Sequence, residues 1–151
     1  MKKRFVTNKN IIAELRALSR AHGGILEPDV VVSAARNPKS AMHNSFDWDD
    51  TEAAQKWRIE QARKLLRVTV EYVGGKEGNP IRVFYSLTTD RRGDETGYRT
   101  TIDIMNDKEL YAQLLDDALA ELESFRVKYA HIKELRAIFT AIKVIRRKQA
   151  K

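Results

Sequence analysis

The last part of the chain, residues 106–151, contains no Gly and no Pro. Apolar residues recur there at spacings of three and four from Leu114 to Ile145, which is the spacing of one helix face. Two arrangements satisfy this pattern. One is a single helix of about 40 residues, on the order of 60 Å at 1.5 Å per residue. The other is a helical hairpin that turns within residues 124–131. The long helix is favoured because a periodic stretch without internal caps is typical of long helices and coiled coils.

The charges of this segment are divided between its two halves. Residues 106–127 carry two basic and six acidic side chains, a net −4, whereas residues 128–151 carry eight basic and one acidic, a net +7. Antiparallel packing would place acid against base, within one chain or between two. A single helix would take its partner from a second subunit, so we predict a homo-oligomer. The predicted oligomer interface consists of Leu122, Phe125, Tyr129, Ile132 and Phe139.

Three helices are predicted in the N-terminal half. The first spans residues 8–22 and stops at the glycine pair 23–24. The second begins near Pro28 and ends before Pro38, because the residue before a proline avoids the helical region. The third spans residues 51–67. Together they form a predicted N-terminal helical unit.

Alternating apolar and polar residues then indicate strands. Residues 67–73, 81–87 and 98–105 alternate, and short glycine-bearing connections join them, which predicts a three-stranded antiparallel meander. The predicted fold class is α+β, with a helical unit, this β-meander and a long C-terminal helix or helical hairpin. Residues 1–105 are expected to hold the helical unit and meander. Residues 106–151 are expected to form a helical oligomerisation and binding extension of the same domain.

The stretch "HNSFDWDD", residues 43–50, combines one His, two aromatic residues and three Asp. It could hold a metal ion or a His–Asp acid–base pair. A calcium loop, however, also needs a central Gly and a distant Glu, and neither is suitably placed. The structural interpretation is favoured: Asp49 or Asp50 caps the third helix, and the aromatic residues pack beneath it.

The sequence argues against the common kinds of catalytic site. It contains no Cys, which excludes disulfides, thiolate zinc sites and Cys nucleophiles. The "GGKEG" at residues 74–78 lacks the P-loop spacing, and no G-x-S-x-G elbow occurs. We therefore predict a non-enzymatic protein with no catalytic residues, no metal site and no cofactor.

The net charge of +7 favours an anionic partner. Basic residues cluster near the N-terminus, at a predicted hairpin tip and at the C-terminus, and Tyr85 and Tyr98 lie near the tip in sequence. Such clusters suit the phosphate backbone of nucleic acid, with DNA as the expected partner. The alternative is a structural or assembly protein, or an inhibitor of a host protein. The predicted nucleic-acid-binding residues are Lys2, Lys3, Arg4, Arg91, Arg92, Lys143, Arg146, Arg147 and Lys148.

No run of eighteen apolar residues occurs, and no apolar core follows the basic start of the chain. We expect no membrane partner and a cytoplasmic location.

Residues 30–68 resemble small uncharacterised proteins of temperate phages and prophages. The resemblance is carried by "AARNP", "HNSFDWDD" and "QARKLLR". It implies an origin in a mobile element, a bacterial host cytoplasm and a role on phage or host macromolecules. It implies no activity and no site residues.

Overall fold

The computed structural model describes residues 8–48, 52–72, 78–92 and 95–149. The chain divides into two compact units, Met1–Asp107 and Lys108–Lys151. Helices dominate, and small antiparallel sheets lie in the first unit, so the α+β class is confirmed.

Two helices open the described chain, and both follow their local signals. Helix α1 (Lys9–Ala21) begins after Asn8, whose side chain accepts a hydrogen bond from the Asn10 amide at 2.9 Å. It ends where Gly23–Gly24 adopt positive φ angles of 68° and 83°, which side-chain-bearing residues rarely do. Helix α2 (Pro28–Ala35) starts on its proline, whose missing amide hydrogen is not needed there.

After α2, the described residues up to Trp48 form a loop that contains a 3-10 turn, and helix α3 (Glu52–Val68) comes next among the described elements. Trp48 anchors this loop. Its indole Nε1 donates to the His43 carbonyl at 3.0 Å. The indole ring also stacks on the His43 imidazole, with ring centroids 5.2 Å apart. Phe46 beside them is buried. Asp49 and Asp50, the expected caps of α3, lie outside the described residues, so that prediction stays a prediction.

Six short strands follow among the residues that the structure describes. Strand β1 (Val70–Tyr72) pairs with β2 (Pro80–Arg82), and the two strands run antiparallel to each other. The other two antiparallel pairs join β3 (Phe84–Tyr85) to β6 (Arg99–Thr100), and β4 (Arg91–Arg92) to β5 (Glu95–Thr96).

The predicted three-stranded meander is not shown, because its middle run changes partner at Val83. The Val83 amide donates to the Thr69 carbonyl at 3.1 Å, and its own carbonyl accepts from the Thr101 amide at 2.8 Å. Residues before Val83 therefore pair with the preceding strand, and residues after it pair with the following strand. The result is a set of two-stranded ladders.

The third predicted strand, residues 98–105, is mostly helical. Helix α4 (Thr101–Asn106) takes over directly after β6. The Thr100 hydroxyl accepts from the Asp103 amide at 3.1 Å and donates to the Asp103 carboxylate at 2.6 Å. This cap satisfies the first turn of the helix and outweighs the alternating pattern.

The core of the first unit lies between its helices and the β3 strand. Phe84 is completely buried, and apolar side chains from α1, α2 and α3 surround it. Trp57, which the helical pattern places on the inner face of α3, is 59% exposed instead. The completely buried large side chains include Leu15, Leu26, Val31, Met42 and Leu66.

The second unit is a helical hairpin, so the single long helix favoured from the sequence is wrong. Helix α5 (Lys108–Lys128) and helix α6 (Arg136–Gln149) are joined by a turn without Gly or Pro. The Ile132 amide donates to the Tyr129 carbonyl at 3.0 Å, and the Leu135 amide donates to the Ile132 carbonyl at 3.2 Å. These tight turns satisfy the backbone, and folding back buries apolar side chains that a lone helix would expose.

Charge supports the hairpin as well. A hydrogen bond from Arg126 lowers the pKa of the Glu123 carboxyl, and the charges of Arg126, Arg146 and Lys143 lower it further. Arg146 and Lys143 belong to α6, whereas Glu123 belongs to α5. The basic helix therefore lies along the acidic one, as the division of charge predicted for a hairpin.

Candidate nucleic-acid interface

The basic hairpin tip expected from the sequence is a real element, because Arg91 and Arg92 form β4. Arg91 is exposed, and its guanidinium Nη2 donates to the Ser86 carbonyl at 2.8 Å. The Arg92 side chain lies outside the described part of the chain. Lys2, Lys3 and Arg4 lie outside the described residues entirely, so their predicted role stays a prediction.

Arg91 is one of four arginines whose charges act on the Tyr98 hydroxyl. Burial raises the pKa of the Tyr98 hydroxyl, and four guanidinium groups oppose that rise. They belong to Arg67, Arg63, Arg82 and Arg91, which come from α3, β2 and β4. We call these four residues the arginine patch. It is a concentration of positive charge that no single stretch of sequence contains.

The end of α3 explains why the arginines gather there. The Arg67 Nε donates to the Arg63 carbonyl at 3.3 Å, and the Arg82 Nη2 donates to the Arg67 carbonyl at 3.3 Å. Both carbonyls belong to the last turns of the helix, where the helix dipole places partial negative charge. The helix terminus thus offsets part of the repulsion among the guanidinium groups.

An aromatic ring adjoins the patch. The Arg82 guanidinium carbon lies 5.1 Å from the centroid of the Tyr85 ring, a cation–π contact. Tyr85 is half-buried, so part of its side chain reaches solvent. Tyr98 is only 4% exposed, and its side chain is therefore not available for stacking on a base as the sequence suggested.

Carboxylates neutralise only part of the patch. Arg63 forms an ion pair with Glu60. Within the part of the chain that the structure describes, Arg67, Arg82 and Arg91 form no ion pair with a carboxylate. A guanidinium offers five N–H donors in a planar fork that matches a phosphate group. These three residues therefore combine positive charge with donor capacity that the described hydrogen bonds do not exhaust.

A buried ion pair supports the hairpin that carries Arg91. The Arg99 Nε and Nη2 donate to the two Asp90 carboxylate oxygens at 2.7 and 2.8 Å. The Asp90 side chain is 4% exposed and the Arg99 side chain 20%. Asp90 immediately precedes β4, and Arg99 lies in β6. The pair therefore joins the base of the hairpin to the neighbouring ladder.

The predicted basic residues of the second unit lie on α6. Lys143, Arg146, Arg147 and Lys148 are all exposed. Arg146 also donates from Nη2 to the Leu119 carbonyl at 3.3 Å, which directs it toward α5. Lys143 and Arg147 are four residues apart and share a helix face. They form a second basic surface.

The predicted oligomer interface divides into buried and exposed members. Phe139 is 8% exposed and packs inside its own hairpin, so it offers little surface to another chain. Tyr129 and Ile132 are half-buried at the turn. Leu122 and Phe125 are each 39% exposed. Their contact with a second chain stays a prediction.

Other kinds of site find no support among the described residues. No group of three or more His, Asp or Glu side chains there could hold a metal ion. His43, the candidate in the "HNSFDWDD" stretch, bonds through Nδ1 to the Ala35 carbonyl at 2.9 Å and stacks on Trp48. None of the described helices is both long enough and apolar enough to cross a bilayer.

Sequence reasoning identified Arg91 but missed Arg63, Arg67 and Arg82. These residues are separated along the chain and meet only through the fold. One signal was present in the sequence. The run "RKLLR" ends the third predicted helix, and Arg82 lies in the predicted strand of residues 81–87. The chain is thus an α+β protein with an arginine-rich surface at a helix terminus. Comparisons with known protein families, with curated proteins and with solved structures found no match.

Proposed function

We propose that the protein binds nucleic acid mainly through the phosphate backbone, with the arginine patch as the principal contact and α6 as a second one. The observation that carries this proposal is that four arginines from separate elements act on Tyr98, and that one of them, Arg82, lies over the Tyr85 ring. Guanidinium groups bind phosphate in a bidentate manner, and a neighbouring aromatic ring can stack on an unpaired base. The proposed role is non-enzymatic, in a bacterial cytoplasm, and of the phage type that the resemblance over residues 30–68 implies.

The geometry favours backbone contact over reading of base edges. The guanidinium groups of Arg67 and Arg82 are held against a helix terminus by their hydrogen bonds to its carbonyl groups. Phosphate contacts position a protein without conveying sequence information. Binding is therefore expected to be tolerant of sequence.

The salt dependence of binding tests the proposal. We expect the affinity for a fluorescently labelled duplex to fall steeply with salt concentration, because each neutralised phosphate releases counterions. The slope of log affinity against log salt is about −0.9 per phosphate contact, so four to six contacts give roughly −4 to −5. Fluorescence anisotropy between low and moderate salt measures this slope.

Two further ligands sharpen the result. A labelled single strand of the same length reports whether Tyr85 adds stacking, which would add affinity that salt does not remove and that Tyr85→Ala would lose. A labelled polyglutamate peptide represents an acidic protein partner. Polyglutamate binding as tight as that of the duplex would favour the assembly or inhibitor alternative, and no binding to either nucleic acid at low salt would exclude the proposal.

A further inference from the structure

Helix α5 exposes a row of apolar side chains on one side. Tyr111, Leu122 and Phe125 are 45%, 39% and 39% exposed, and Ala118 between them is exposed as well. Their spacing of three, four and seven residues places them on one helix face. Leu119, which faces α6, is only 3% exposed. The row therefore lies beside the hairpin interior rather than within it.

Helix α6 has a matching row. Ile138 and Ile145 are 48% and 42% exposed, and Ala141 between them is exposed. At about 100° per residue, this row is centred roughly 70° before the buried Ile142 around the helix axis, and the α5 row is centred roughly 90° before Leu119. The two helices run antiparallel and face each other. An offset in the same rotational sense around each helix axis therefore places both rows on the same side of the hairpin. They form one surface, which we call the hairpin face.

The hairpin interior is too small to account for a stable unit by itself. Its buried apolar side chains, among the residues that the structure describes, are Leu119, Phe139 and Ile142. Chains of about 40 residues usually need a disulfide, a metal ion or association with another chain to fold stably. The chain has no Cys. The hairpin face is the apolar surface that could supply the missing burial.

We propose that the hairpin face binds the hairpin face of a second copy of this chain, with α5 of one copy packed on α6 of the other in a four-helix bundle. Charge selects this occupant. Residues 109–123 of α5 carry five acidic and no basic side chains, and residues 136–149 carry five basic and no acidic ones. A twofold axis parallel to the helices places each acidic helix on the partner's basic helix. The alternative, α5 on α5 and α6 on α6, would bring like charges together.

Charges of opposite sign lie at the rim of the face on the two helices. Glu121 lies four residues before Phe125 on the α5 row, and Lys148 lies three residues after Ile145 on the α6 row. Both are exposed. In the proposed dimer the edge of the face that carries Glu121 in each copy lies along the edge that carries Lys148 in its partner. Lys143 and Arg147 lie off the face, so dimerisation leaves them accessible. The inference is independent of the proposed function.

Sedimentation velocity of the full-length protein tests the inference at micromolar concentration. The expected result is a dimer, which Leu122→Glu and Ile145→Glu each convert to a monomer by raising the dissociation constant at least 100-fold. Val127→Glu is the matched control, because Val127 is 65% exposed on α5 but points away from the face. It is expected to leave the dimer intact. Circular dichroism at the same concentration checks that each variant remains helical.

Charge reversal tests the packing order without adding charge to the apolar rows. Glu121→Lys alone and Lys148→Glu alone are each expected to weaken the dimer, whereas the double variant is expected to recover most of the affinity. A wild-type protein that sediments as a monomer overturns the inference. So does a dimer that Leu122→Glu and Val127→Glu weaken equally. Failure of the double variant to recover overturns the pairing of α5 with the partner's α6.

Discussion

Replacing Arg67, Arg82 and Arg91 together with Gln is expected to weaken binding to a duplex at least 100-fold at low salt. A charge-assisted hydrogen bond contributes about 1.5–3 kcal/mol, and about 1.4 kcal/mol corresponds to a tenfold change in affinity. Screening at an exposed surface reduces these values, so three lost contacts amount to a few kcal/mol. The slope of log affinity against log salt should become shallower by about three.

A matched control comes from the same helix. Lys56 is exposed on α3, eleven residues before Arg67 and therefore about 16 Å along the helix axis. Lys56→Gln removes one positive charge at a distance from the patch and should change the affinity less than threefold. A triple replacement with Lys keeps the charge but loses the planar fork, so it should recover the salt slope and only part of the affinity. If the patch variant and Lys56→Gln lose the same affinity for each positive charge removed, net charge rather than the patch determines binding.

Replacing Arg99 with Met is expected to lower the free energy of unfolding of the first unit by about 3 kcal/mol. It leaves the Asp90 carboxylate, which is 4% exposed, without its bidentate partner. Breaking a buried pair from one side typically costs about 3–5 kcal/mol, and partial exposure of Arg99 places this case at the lower end. The hydrogen bond to Asp90 raises the pKa of Arg99, so the guanidinium stays charged and the pair persists throughout the neutral range.

Urea denaturation followed by tryptophan fluorescence measures this change. Both Trp residues of the chain, Trp48 and Trp57, belong to the first unit, so the signal reports on that unit. Arg126→Met provides the comparison, because the Arg126 Nε and Nη2 donate to the two Glu123 carboxylate oxygens on the hairpin surface. That surface pair should contribute far less to the stability of the second unit, measured by circular dichroism, because solvent screens its charges. A loss for Arg99→Met as small as for Arg126→Met would contradict the supporting role of the buried pair.

The sequence predicted the elements whose signals are local. Asn8, the glycines at 23–24 and Pro28 each act on the neighbouring turn, and α1 and α2 begin and end close to the predicted positions. The strand prediction located the alternating runs, but it could not identify Val83 as the residue where the middle run changes partner. That change depends on carbonyl and amide groups of residues far from Val83 in sequence.

The other differences have different origins, and two of them are local. The cap at Thr100 competes with an alternating pattern over residues 98–105, and the pattern alone does not decide between them. The hairpin turn uses Tyr129, Ile132 and Leu135 with ordinary backbone angles, so it carries no Gly or Pro signal. The arginine patch unites α3, β2 and β4, and its members are unremarkable until the fold brings them together.

The hydrogen bonds that Arg67 and Arg82 make to carbonyls at the end of α3 have a consequence for recognition. A free arginine side chain samples many rotamers, and holding it in one of them costs up to about 2 kcal/mol of conformational entropy. Here the helix terminus has already restricted both side chains before any ligand arrives. A phosphate group that meets them therefore orders less of the protein on binding, and more of each contact remains as affinity.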